Sequence, residues 1–226
     1  MRATYITLII LSSISLVLGC KKGKNDPILS LQTRKARMTE EWKIDSWTKN
    51  IKHTGTQQNG SPINDELTFD LTQDSYEASI PWGYFSEYPF GGKAIVEKAI
   101  WNIDKKGNWE RILEYTSSSS FSTKQIIETK KGVWNFLSKS SDYKNKERVV
   151  FNVLSSYQKV ETTTPNGVVN IEEKFQEHNN GEVSEIFEID QLKSKEIVLK
   201  RTNNKEFVTP IEHRIKKESE IYILKK

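Results

Sequence analysis

The chain has 226 residues, a formal net charge of +4 and 35% apolar residues, which suits one domain, or at most two small ones. Its 34 basic residues are nearly balanced by 30 acidic ones, so no nucleic-acid partner is expected. The single cysteine, Cys20, excludes a disulfide framework.

At the N-terminus Arg2 precedes an apolar run, Ala3 to Leu18, interrupted only by hydroxyl residues. The run is short of the roughly 20 residues a spanning helix needs and has the proportions of a signal peptide. Val17-Leu18-Gly19-Cys20 resembles the lipobox of bacterial lipoproteins, with Val17 where that family usually carries Leu. The resemblance implies a signal peptide over residues 1–19 and a lipid-modified Cys20, anchored to the bilayer through acyl chains such as palmitate. Two or more chains are needed for stable anchoring. Lys21, Lys22 and Lys24 follow and read as a solvated tether; contact with lipid headgroups is the alternative. Lys21, where inner-membrane lipoproteins carry Asp, implies the outer membrane, at its periplasmic face or the cell surface.

Residues 20–38 are expected to form the tether and a short helix. Asp26 caps, Pro27 opens, and Ile28, Leu31, Lys35 and Met38 recur at near-helical spacing; a short amphipathic helix is predicted over 27–38, with a disordered linker as the alternative. Residues 39–226 change to period two, the signature of strands. Leu67, Phe69 and Leu71 alternate with polar residues, as do Tyr76, Ala78 and Ile80, then Trp109, Arg111, Leu113 and Tyr115. Val149, Phe151 and Val153 follow, then Val169, Ile171 and Phe175, and Val183, Glu185, Phe187 and Ile189. Ala94 to Ile103 has apolar residues in both phases and is predicted to be buried on both faces. Turn signals separate the runs: Asn59-Gly60, Gly91-Gly92, Gly107-Asn108, Lys131-Gly132, Asn166-Gly167, Asn180-Gly181 and Asn203-Asn204. The prediction is an all-β, antiparallel up-and-down barrel of ten to twelve strands with a short N-terminal helix.

Glu40-Glu41-Trp42-Lys43-Ile44, Gly107-Asn108-Trp109 and Gly132-Val133-Trp134, together with the lipobox, resemble the lipocalin-like lipoproteins of the Bacteroidetes. Glu40 stands where that motif has glycine. The resemblance implies a barrel with an interior cup for an apolar small molecule, no catalytic reaction, and a late-strand arginine over Trp42. Arg201 and Arg214 are the two candidates.

Little else carries chemistry. His53, His178 and His213 stand too far apart for a metal motif, and no glycine loop suited to phosphate or cofactor binding is present. No serine elbow occurs, and carboxylates such as Glu172-Glu173 are too many to select a pair. Residues 82–90 hold Trp82, Tyr84, Phe85, Tyr88 and Phe90, a heavy aromatic load expected either to contact a ligand or partner or to close one barrel end. Trp101, Trp109 and Tyr115 are expected to face the interior and touch the ligand. The leading expectation is therefore a non-catalytic, lipid-anchored barrel that binds a small apolar molecule. The alternatives are an interaction subunit of an outer-membrane protein assembly and a glycan-acting enzyme.

Overall fold

A computed structural model describes residues 32–57, 59–81, 91–140, 142–143, 147–209 and 212–226. Cys20 and its flanks, and the aromatic residues Trp82, Tyr84, Phe85, Tyr88 and Phe90, lie outside the described residues. The described chain is one short helix, α1 (Arg34–Met38), and eleven strands: β1 (Glu41–Gln57), β2 (Pro62–Thr72), β3 (Ser75–Ser79), β4 (Gly92–Ile103), β5 (Asn108–Ser118), β6 (Thr123–Phe136), β7 (Arg148–Thr163), β8 (Val169–Glu177), β9 (Val183–Leu192), β10 (Glu196–Thr209) and β11 (Glu212–Lys225).

All pairings are antiparallel. Ten strands close in the order β1-β2-β3-β4-β5-β6-β7-β9-β10-β11, and β11 returns to β1 over Lys43↔Lys225 to Gln57↔Glu212. The predicted up-and-down barrel with a short helix is what forms. β8 is additional: it folds back on the far half of β7, whose near half pairs with β9. The β2–β3 hairpin also stops short, so β1 pairs directly with β4 beneath it, setting Trp42 opposite Trp101.

The alternation read from sequence decides which side chains face in. Leu67, Phe69, Leu71, Tyr76, Ala78, Trp109, Leu113, Val149, Phe151, Val153, Phe187 and Ile189 are buried. Ala94 to Ile103 is not buried on both faces. The β4–β5 register slips between Val96 and Lys98, and this bulge switches the phase of the strand. Ala94 points in before it, Ala99, Trp101 and Ile103 point in after it, and Ile95 is 68% exposed. Val169, Ile171 and Phe175 are a second departure: β8 is exposed along its whole length.

Two predicted turns are strand interiors. Asn203-Asn204 lies within β10 and Lys131-Gly132 within β6. Gly132 serves close approach instead of turning: a β-carbon there would lie 1.8 Å from the Asn152 carbonyl oxygen and 3.0 Å from Nε1 of Trp109. Trp109 is the register partner of Gly132, and its indole donates to that same carbonyl at 3.2 Å. The repeated Gly-x-Trp is thus one interlocked unit, in which the second glycine makes room for the first tryptophan.

α1 seats against one end of the barrel, called here the near end. Thr33 caps it by accepting from the Ala36 amide at 3.1 Å. Met38 is fully buried, and its carbonyl accepts from the Trp42 indole at 2.9 Å. The Arg37 guanidinium donates to the Leu192 carbonyl. The described helix covers only the end of the predicted 27–38. The cation over Trp42 is Lys226, 5.3 Å from the ring centroid; Arg201 stands over Phe187 and Arg214 over Phe207. Neither arginine fills the role that the lipocalin resemblance assigned.

Candidate functional site

The barrel interior has two layers. The lower one is apolar and filled. Trp101 packs at 5.7 Å from Trp109, 4.9 Å from Phe151 and 5.1 Å from Tyr222, and Phe187 closes on Phe151 and Tyr222 at 6.0 and 5.8 Å. Trp101 has no exposed surface, Trp109 2% and Tyr115 1%. These three predicted contact residues do face inward, but other side chains take up their surfaces. Tyr115 meets Tyr76 at 5.0 Å, edge to face.

Toward the far end charged side chains join apolar ones such as Ile51, Leu67 and Ile126 in the inward positions. Lys130 and Glu185 form an ion pair at 2.5 Å. Arg111 donates to the Tyr222 hydroxyl at 2.6 Å. Arg201 bridges Glu218 at 2.9 Å and Glu220 at 2.5 Å, and Glu218 also takes Lys49 at 3.1 Å. The Trp47 indole donates to Glu220 at 2.8 Å. Glu128 accepts from the Tyr115 hydroxyl at 2.8 Å and from Gln158 at 3.3 Å. Buried charges persist only when paired in this way.

The fields follow from the arrangement. Burial pushes the Glu185 carboxyl up, but Lys130, Arg111 and Arg201 outweigh it and hold the group at about 2. Burial lowers the Lys130 ammonium, partly offset by Glu185, with Arg111 adding to the lowering. The Arg111 guanidinium is held above its ordinary range: burial opposes its charge, and Tyr222, Glu185, Glu220 and Glu128 together overcome that. Tyr115 is pushed up, first by burial and then by Glu128.

This layer opens sideways where β8 leaves the ring. There a cavity of about 220 Å³ is lined by Arg111, Glu128, Lys130, Gln158, Lys174 and Gln176, among others. Register explains the gathering: Arg111↔Lys130↔Ser156↔Gln176 form one row across β5–β8, and Leu113↔Glu128↔Gln158↔Lys174 the next. Three cations therefore line the space against one carboxylate, and that carboxylate already accepts two hydrogen bonds. Among the described residues no cluster of metal-ligating groups occurs. His53 is buried, and the exposed His213 lies 2.8 Å from Glu206.

Of these residues, sequence reading picks out Arg111 and Glu185 only as steps in alternating runs. Lys130, Gln158 and Lys174 carry no signal beyond strand position. What signal exists is a charged residue in the inward phase of an otherwise apolar strand.

No protein-family model and no curated protein sequence matches the chain. Among solved structures it is similar to Ail, the attachment invasion locus protein of Yersinia pestis. The identity is 4% over 83% of this chain and 99% of that one, with a TM-score of 0.29, too low to carry an argument. The expected lipocalin-type binder of an apolar molecule is corrected by the packing of the interior: the buried rings of Trp101, Phe151, Phe187 and Tyr222 occupy the space that the cup required.

Proposed function

We propose that the chain is a tethered, non-catalytic binding barrel whose ligand is a small polar anion held in the charged far layer. The observation that supports this is the 220 Å³ cavity lined by Arg111, Lys130 and Lys174 with Glu128 as its lining carboxylate, Lys130 also pairing with Glu185. Its size decides the ligand class. Pockets for drug-sized molecules run from about 300 to 1,000 Å³, so this one suits a carboxylate or phosphate of a few carbons and not a lipid. Arg111 and Lys130 hold further N–H donors beyond those given to Tyr222 and Glu185. Gln158 and Gln176 add neutral polar contacts that fix orientation.

The tether belongs to the same reading. Val17-Leu18-Gly19-Cys20 supports acylation at Cys20, and Lys21 supports the outer membrane. Growth with radiolabelled palmitate tests it: label on the wild type and none on Cys20→Ser is expected, and an unlabelled wild type overturns the anchor.

Binding is tested by calorimetric titration of the mature chain with citrate and with inorganic phosphate. Heat that saturates is expected, weakened about tenfold or more by Lys174→Gln, the loss of one charge-assisted contact. The thermal midpoint should not move, because Lys174 is exposed. No heat from either anion, or heat indifferent to Lys174→Gln, overturns the reading.

A further inference from the structure

β8 pairs only with β7 among the described residues, so its other edge is open. The phase of that edge is fixed at both ends. The Thr164 amide donates to the Val168 carbonyl at 2.9 Å and the His178 amide to the Leu154 carbonyl at 2.9 Å. Hydrogen bonds in an antiparallel ladder alternate sides. The even-numbered residues of β8 therefore bond to β7, and Val169, Ile171, Glu173, Phe175 and Glu177 aim their N–H and C=O groups outward. Ile171 and Phe175 also expose 52% and 62% of their surface. An exposed edge with unsatisfied ladder groups is a template for another strand.

We propose that the occupant is a second copy of this chain, with the two β8 strands pairing antiparallel about Glu173 under two-fold symmetry. Self-complementarity of the strand, the requirement of such an interface, carries the proposal. With Glu173 on the axis, Ile171 lies opposite the partner's Phe175 on the outer face, and Glu172 opposite the partner's Lys174 on the inner face. Each pair occurs twice. Outward-aimed backbone groups then meet outward-aimed groups at every odd position. A slip of one residue sets the apolar outer face against the polar inner one. A slip of two sets Glu172 on Glu172 or Lys174 on Lys174, a like-charge pair that is destabilising. The cost of the chosen register is Glu173 facing itself, moderated because Lys159 is its register partner in β7 and the Tyr157 hydroxyl donates to it. Antiparallel pairing sets the two α1 ends at opposite ends of the dimer.

The test is cysteine crosslinking of the purified full chain with a short bis-maleimide. Wild type carries only Cys20 and sets the background; Asn64→Cys, on the outward face of β2, is the control. Glu173→Cys should crosslink to a dimer several-fold above both. Lys174→Glu in that background should abolish the dimer, and Glu172→Lys with Lys174→Glu should restore it. Crosslinking of Glu173→Cys no greater than Asn64→Cys, or a charge swap that fails to restore, overturns the dimer. So does capture of a different protein by the Glu173→Cys variant in cells while the purified chain stays monomeric.

Discussion

Glu185 sits in the inward phase of β9 between apolar neighbours, and what makes that tolerable is Lys130 at 2.5 Å with Arg111 and Arg201 nearby. Removing one partner of a buried pair leaves a charge without compensation and costs about 3–5 kcal/mol. Glu185→Gln should lose about that much in urea unfolding at pH 7, whereas Lys174→Gln should change stability by less than about 0.5 kcal/mol. The acid limb has a definite sign. The folded carboxyl lies at about 2 against an ordinary 4.5, a depressed value, so its stabilisation is whole above the ordinary value and is lost as pH falls toward 2. Melting curves between pH 6 and pH 2 should show this loss in the wild type and a flatter profile in Glu185→Gln. Gly132 gives the third residue-scale prediction. Gly132→Ala places a β-carbon on the Asn152 carbonyl, and overpacking of this kind costs about 1–3 kcal/mol, read as a lower thermal midpoint. The sequence marks Gly132 correctly as special and suggests the wrong reason, because a glycine required by a neighbouring strand is indistinguishable from one required by a turn.

Among elements, α1 shows how a short segment acts through tertiary contact. A five-residue helix has no stability alone; Met38 in the core, Arg37 on Leu192 and the Met38 carbonyl on Trp42 hold it. Met38→Ala should therefore cost about 2–5 kcal/mol, while Thr33→Ala, which removes only the cap, should cost about 1 kcal/mol. Denaturant midpoints of the two variants compare them directly. Strand character was legible wherever one face is wet, as in β2 and β5, because period two survives there. It failed in β4, where one bulged residue flips the phase and imitates two-sided burial. It was silent on β8, since a strand appended outside the ring keeps the same apolar alternation as one inside it. The lysine over Trp42 could not be foreseen either, because the chain's last residue reaches that ring only through the β1–β11 pairing.

The molecule as a whole is turned the opposite way from a lipid-spanning barrel. Such barrels face apolar side chains outward and enclose polar ones. Here Lys52, Glu66, Asp70, Glu77, Lys93 and Lys200 are exposed on the strands, and the lower interior is apolar. What remains polar inside is the far layer, which opens to the 220 Å³ cavity; a larger one of about 680 Å³ lies at the near end, beside Glu40, Ile103 and Trp109. The number of strands and their antiparallel order followed from residue pattern, because they depend on local alternation and turns. Whether the interior is hollow depends on side chains of distant strands meeting, as Trp101, Phe151 and Tyr222 do, and no single strand records that. The most direct test is a pair of amide NMR titrations of the chain, one with citrate and one with laurate. Citrate should shift the amides of Lys130, Gln158, Lys174 and Gln176 and leave those of Trp101 and Phe187 in place, and laurate should shift neither group. Laurate shifts centred on Trp101 and Phe187, or a citrate titration that moves no amide of the far layer, would contradict the filled floor and the anion site above it.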